Sequence, residues 1–370
     1  MRRASFTIKV GVILLAIASL ASPGVAPGQV TGQEKTQPST PKIVGSAKVD
    51  AGIQAIEEDY NRQLLQLDKS RLEQLGRLAA GQKPADAAAT YERLFRLAVA
   101  GSLFRDAEAA AVNVLKQGTP SPTTNALAHL VKILAETDRG AYEQSLQSLR
   151  LAVSEGAQDR KPTGSRANLA SDEIIGISES YYQRLVENNQ FKIAREAFGL
   201  LVEQPFRPAV KDVLASRLKR IELVGKPAPP ILGTDLDGKA FDLAAEKGKL
   251  VLVVFWATWC VPNAEQIGWL EEVEHTYHDK GLRVVGIDVD TMQNGGQKPE
   301  AVLPNVRRFL LDYNVPWPTL LNGVGDRDYA MAYGISDIPA NVLIGRDGTV
   351  VQIDLSRRNL EEVVERQLAR

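Results

Sequence analysis

The sequence predicts a two-domain protein, with an all-α helical-repeat domain followed by an α/β domain. Three observations support this fold class. The length of 370 residues suits two domains. A helical pattern recurs three times before residue 224, and strands alternate with helices after residue 231. Between them, the segment Gly225–Pro230 contains three prolines, which end helices and favour extended backbone.

Residues 1–26 predict a secretory signal peptide. Arg2, Arg3 and Lys9 are basic, and Val10–Ala21 is an apolar segment too short to span a bilayer. Small residues suited to cleavage extend to Ala26. We therefore expect an extracytoplasmic protein, periplasmic or secreted, without a stable membrane span after cleavage. A retained N-terminal anchor is the alternative.

Residues 27–48 predict a flexible linker, because Pro, Gly, Gln, Ser and Thr dominate them. From Val49 to Ala79, apolar residues recur every three or four positions, which predicts a long amphipathic helix. Its apolar stripe starts with Ile53, Ile56, Tyr60, Leu64 and Leu67. We expect this stripe to pack against the core.

Residues 49–224 contain three imperfect copies of a helical segment. An aromatic residue, Phe104, Tyr142 or Phe191, occupies the same place in each copy. The three copies are Ser102–Gln117, Gly140–Glu155 and Asn189–Gln204. Each follows another helical pattern, so the repeating unit is a helical hairpin that resembles tetratricopeptide-type repeats. Stacked hairpins of this kind present a surface for a protein partner, whereas an irregular helical bundle without a partner is the alternative.

The α/β domain is predicted over residues 225–370. The strands are predicted at 231–234, 239–243, 250–255, 282–289, 317–321, 341–344 and 349–353, and the helices at 260–279, 299–313, 326–333 and from 359. Leu250–Phe255 is wholly apolar, as expected of a buried parallel strand. This order of elements predicts a mixed central sheet covered on both faces. Asp288 and Asp290 end one strand, where acidic residues commonly solvate a loop.

Cys260 is the only cysteine, and it follows the buried strand at the start of a predicted helix. Amide hydrogens and the dipole at a helix N-terminus favour a thiolate. A redox pair at this spacing has its second cysteine three residues later, where this chain has Asn263. Because one thiol cannot form a disulfide within the chain, Cys260 is a reactive monothiol, half of a site shared with a partner, or an inert buried side chain.

The string Phe255–Cys260 and the segment Gly334–Ile344 carry a resemblance to a known family. They are similar to the TlpA/ResA-like thiol-disulfide oxidoreductases, which have a thioredoxin fold and are relatives of the peroxiredoxin (AhpC/TSA) superfamily. The resemblance implies catalytic roles for Cys260 and Pro339, with a cis Ile338–Pro339 peptide facing the thiol. It also implies that Ile338, Trp256 and Trp259 contact an extended substrate or shield the thiol.

The chain departs from this family at two positions. Asn263 replaces the resolving cysteine, so only an external thiolate can release a mixed disulfide from Cys260. Gln266 stands where many relatives have a glutamate that helps to deprotonate the buried thiol. We therefore predict monothiol exchange with an exported protein or with a small-molecule thiol or disulfide.

Two other functions are kept as alternatives. One is a non-catalytic binding scaffold with a degenerate thioredoxin domain. The other, less favoured, is a one-cysteine peroxidase, since Ala257 and Val253 replace the threonine and proline that hold peroxide in peroxiredoxins. A net charge of −1 gives no reason to expect nucleic acid as a partner. No motif predicts a metal or a cofactor.

Overall fold

The computed structural model describes residues 47–119, 121–158, 169–295 and 297–369. The predicted signal peptide and nearly all of the predicted linker lie outside these residues. The chain divides into two units between Glu58 and Asp59, and the first contributes only the start of a helix. Across the described ranges, every helix is too short or too polar to cross a membrane.

The described part of the N-terminal region is helical, as predicted. Its helices are α1 (Ala47–Ala80), α2 (Pro84–Gly101), α3 (Phe104–Gln117), α4 (Pro122–Asp138), α5 (Tyr142–Gln158), α6 (Ser171–Glu187), α7 (Phe191–Val202) and α8 (Pro208–Leu223). We call residues 59–223 the helical region.

The predicted long helix is confirmed as α1, but the expectation that its stripe packs in the core is wrong. The exposed stripe residues are Ile53, Ile56, Tyr60, Leu64 and Leu67. Only towards its end does α1 bury apolar side chains, such as Leu72 at 3% exposure. Lys69 pairs there with Asp106 of α3 at 3.0 Å.

The three repeat copies begin at one structural position. Phe104, Tyr142 and Phe191 are each the first residue of a helix. Two residues earlier, the backbone turns to positive φ, at Ser102 (52°), Gly140 (77°) and Asn189 (57°). The next amide donates to a carbonyl five residues back, in the pairs Leu103–Ala98 (2.8 Å), Ala141–Glu136 (2.9 Å) and Gln190–Leu185 (2.8 Å). This is the Schellman pattern of helix ends. The helical hairpins are confirmed, and their assignment to tetratricopeptide repeats stays a prediction.

The α/β domain contains the predicted strands and helices. They are β1 (Leu232–Thr234), β2 (Ala240–Asp242), β3 (Leu250–Trp256), α9 (Val261–Tyr277), β4 (Leu282–Asp288), α10 (Pro299–Asp312), β5 (Thr319–Leu321), α11 (Tyr329–Tyr333), β6 (Ala340–Ile344), β7 (Val350–Ile353) and α12 (Arg357–Leu368). β1 and β2 pair antiparallel. The other strands form one sheet in the order β5-β4-β3-β6-β7, with β6 and β7 antiparallel to their neighbours, as a mixed sheet requires.

The hydrophobic core continues from the helical region into the α/β domain. One cluster of buried residues includes Phe198 of α7, Ile221 of α8, Tyr333 of α11 and Val350 of β7. After α8 the backbone joins the sheet, because the amide of Gly225 donates to the Val350 carbonyl at 2.8 Å. The cluster of buried residues therefore has members on both sides of the predicted boundary at Gly225.

Candidate active site

Cys260 lies between the central strand β3 and helix α9. It is the N-cap residue of α9, with φ −90° and ψ 101°, and a proline lies in the first helical turn. Its amide donates to the Ala257 carbonyl at 3.2 Å, which closes a turn over residues 257–260. Cys260 is 9% exposed. The predicted order of strand, turn, cysteine and helix is confirmed, and it puts the thiol where amide hydrogens point outward from a helix.

The loop before β6 faces this thiol. The Ile338–Pro339 peptide is cis, as the resemblance implied. Cys260 Sγ lies 4.0 Å from the Ile338 carbonyl oxygen and can donate a hydrogen bond to it. The two segments meet because β6 runs antiparallel to β3 and begins opposite its end, with Phe255 beside Ala340. We call residues 334–339 the proline loop.

The two tryptophans near Cys260 differ in exposure. Trp256 is 4% exposed and stacks on Phe309 of α10, with 4.9 Å between ring centroids. Trp259 is 46% exposed and offers apolar surface next to Cys260. The substrate contacts predicted for Trp256, Trp259 and Ile338 stay predictions, and of the two rings only Trp259 presents much surface to solvent.

Asp290 fixes the turn that precedes Cys260. Its carboxylate accepts hydrogen bonds from the amide of Thr258 at 2.8 Å and from the Thr258 hydroxyl at 2.6 Å. The Asp290 side chain is buried, so the expectation that it solvates a loop is wrong. The register explains the contact, since β3 and β4 are parallel and Trp256 lies beside Asp288 at the same sheet edge. The Thr258 hydroxyl is thus directed at Asp290.

Asp288 is fully buried at the end of β4, which also contradicts the predicted loop role. Its Oδ1 accepts from the Asp290 amide at 3.2 Å, whereas its Oδ2 has no partner among the described residues. Burial, and then the negative charge of Asp290, raise the pKa of Asp288 well above its usual value. Sequence reasoning missed both carboxylates because a strand end alone does not show which side chains the adjoining turns cover.

An Asp288→Asn variant is expected to gain stability relative to wild type as pH rises above about 4. Because the folded pKa of Asp288 is raised, the unfolded chain loses its proton first, above about pH 4. Between that pH and the raised pKa of the folded state, the folded state loses stability relative to the unfolded chain, by at most ~1.4 kcal/mol per pH unit. Asparagine cannot ionise, so the variant escapes this loss. Urea unfolding of both proteins at several pH values measures it, and a difference independent of pH would contradict a protonated Asp288.

The α/β domain matches known proteins. The model described as the AhpC/TSA family matches residues 224–353. The chain is 30% identical over 142 residues to the thiol-disulfide oxidoreductases ResA of Bacillus thuringiensis subsp. konkukian and of Bacillus cereus strain ATCC 10987, covering 38% of this chain and 75% of each relative. The chain belongs to the ResA-like thiol-disulfide oxidoreductase family. A solved thiol:disulfide interchange protein from Chlorobium tepidum is 28% identical, with a TM-score of 0.33, covering 38% of this chain and 95% of that one.

This ResA-like chain has one cysteine at the site, Cys260, and Asn263 at the position of the second cysteine of a redox pair. Asn263 is the third residue of α9, one turn beyond Cys260. A thiol at a helix N-terminus can attack a disulfide, and Cys260 has that position. The chain has no second cysteine that could then release the mixed disulfide. The matched family residues begin at 224, so the helical region lies outside that match.

Proposed function

We propose that the protein exchanges disulfides through Cys260 alone, forming a mixed disulfide with an exported protein or a small thiol. The thiolate attacks one sulfur of a target disulfide, and the other target sulfur leaves as a thiolate. The observation that supports this most is the position of Cys260 Sγ at the N-terminus of α9, 4.0 Å from the Ile338 carbonyl. Family membership supports the same chemistry.

Release of the target needs an external thiolate. The chain has one cysteine, so attack on the mixed disulfide comes from glutathione-like small thiols or from another protein. The predicted signal peptide supports an extracytoplasmic location, where disulfide targets are common. The exposed ring of Trp259 supplies apolar surface beside the thiol, and the helical hairpins supply a further surface for a protein target.

The rate of Cys260 alkylation by iodoacetamide as a function of pH tests whether the thiol is reactive. We expect half of the maximal rate below pH ~8.5, the value of an unperturbed cysteine, because the helix N-terminus stabilises the thiolate. Cys260→Ser is the control for reaction at this atom. Half-maximal reaction at or above that pH would favour the inert cysteine of a binding scaffold.

Capture of partners from the exporting cell separates exchange from scaffolding. Alkylation at harvest should preserve target proteins linked to Cys260 through bonds that dithiothreitol reverses, and Cys260→Ser should lose them. Partners that bind equally to both proteins without a reducible link would instead support the scaffold function.

A further inference from the structure

Helix α8 of the helical region contacts the proline loop directly. The carbonyl of Gly334 accepts a hydrogen bond from the Ser216 hydroxyl at 2.7 Å. The guanidinium of Arg220 donates to the same carbonyl at 3.0 and 3.2 Å. A Cβ on Gly334 would lie 2.9 Å from the carbonyl oxygen of Ser216 and 3.0 Å from the backbone nitrogen of Arg220. The φ angle of Gly334 is +66°. Only glycine permits this approach of loop and helix backbone.

Arg217 holds the next part of the loop. Both terminal nitrogens of its guanidinium donate to the two carboxylate oxygens of Asp337. Its Nε donates to Glu179 of α6 at 2.8 Å, and its guanidinium carbon lies 5.1 Å from the ring centroid of Tyr182. The Arg217 side chain is 5% exposed. Bidentate pairing with Asp337 and the contacts with Glu179 and Tyr182 restrict the guanidinium to one orientation. Arg217 therefore holds Asp337 in a defined position.

Asp337 stays ionised in this contact. The Asp337 side chain is 53% exposed. Its partial burial would raise its pKa, but the hydrogen bonds and charge of Arg217, together with the charge of Arg220, hold the pKa of Asp337 below its usual value. Asp337 immediately precedes Ile338, whose carbonyl faces the thiol of Cys260. Arg217 therefore binds the residue directly before the one whose carbonyl faces Cys260 Sγ.

We propose that Arg217 is a positioning residue that acts through Asp337 to set the edge along which a polypeptide disulfide docks beside Cys260. This inference rests on the proposed function of Cys260. It makes the helical region part of the active site, because α8 holds the proline loop and α6 in turn holds Arg217 of α8. The substrate class that this support serves is an extended peptide, since a small disulfide needs no docking edge.

Two probes that react with the same sulfur separate positioning from general damage. Dithiodipyridine is the small disulfide, and an extended peptide whose one cysteine carries a pyridyl disulfide is the polypeptide probe. In each case the Cys260 thiolate bonds to one sulfur and pyridine thiolate leaves, so one absorbance reports both rates. The ratio of the two rates cancels changes in the ionisation of Cys260.

We expect Arg217→Met and Asp337→Asn each to lower the peptide rate about tenfold while changing the dithiodipyridine rate little, because misplacement of a docking edge affects only the docked substrate. The double variant should equal the single variants, since both remove one contact. Arg217→Lys, which keeps the charge but loses the bidentate fork, should recover part of the peptide rate.

Arg184→Met is the matched control. Arg184 also pairs with an aspartate in the helical region, Asp138, at 2.8 Å, and it does not contact the proline loop. Its removal should leave the ratio of rates unchanged. If Arg217→Met keeps the wild-type ratio, the positioning role is wrong while monothiol exchange stands. If wild type reacts with neither probe, the proposed function itself is wrong.

Discussion

An Asn263→Cys variant is expected to form a disulfide with Cys260 and to reduce insulin, which the wild-type chain is expected to leave nearly intact. The helix supplies the geometry. Cys260 is the N-cap residue of α9 and position 263 is its third residue. In capped helices the side chain at each of these two positions reaches the backbone amide of the other, so two cysteines there are within reach of each other.

The second thiol changes the chemistry rather than the stability. A mixed disulfide on Cys260 becomes open to attack from position 263, which turns a one-step acceptor into a catalyst that releases its target. We expect insulin reduction by dithiothreitol to accelerate at least about tenfold over the wild-type chain, because an intramolecular attack replaces a bimolecular one. Mass spectrometry after alkylation of the oxidised variant should detect no reactive thiol.

Two controls isolate the pairing of the cysteines. Asn263→Ser removes the amide without adding a thiol and should behave as wild type. Gln266→Cys adds a thiol six residues from Cys260, roughly 9 Å along the helix, which is too far for a disulfide. If Asn263→Cys remains a dithiol under oxidising conditions, or if Gln266→Cys accelerates insulin reduction equally, the geometry inferred for the N-terminus of α9 is wrong.

The local elements of this fold could be predicted from sequence because their signals are local. The apolar strand Leu250–Phe255 and the aromatic residues of the repeat copies are both visible as short patterns in the sequence. The placement of Cys260 at a helix start follows from such signals, and the loop that faces it was implied by the family resemblance. Both are confirmed.

The supports of the site could not be predicted in this way. Arg217 and Asp337 are 120 residues apart, and Arg220 and Asp354 are 134 apart. In sequence, arginines on a helix normally indicate a solvated face, and nothing local shows that another domain covers them. Asp290 was missed for the same reason, since its partner Thr258 lies 32 residues earlier. The apolar stripe of α1 shows the reverse error. A local pattern predicted core packing, but the stripe residues are exposed among the described residues.

An Arg220→Met variant is expected to lose about 3–5 kcal/mol of unfolding free energy, because it leaves a largely buried carboxylate without its cation. The Arg220 side chain is 2% exposed, and its Nη1 lies 2.8 and 2.7 Å from the two oxygens of Asp354. The Tyr182 hydroxyl also donates to Asp354 at 2.5 Å. These groups connect α8, α6 and the end of β7. Removal of the Arg220 guanidinium should therefore weaken the contact between the helical region and the sheet.

Urea unfolding of Arg220→Met, Asp354→Asn and the double variant measures this effect, with Arg150→Met as the matched control. Arg150 pairs with Glu196 at 2.7 Å, but both side chains are exposed, so its removal should cost at most about 1 kcal/mol. The double variant should lose less than the sum of the single losses, since asparagine carries no charge that needs Arg220. Equal losses for Arg220→Met and Arg150→Met would show that the buried pair does not hold the two parts of the chain together. Should Arg220→Met fail to fold, Asp354→Asn still provides the comparison, because it keeps the arginine in place and removes only the charge of its partner.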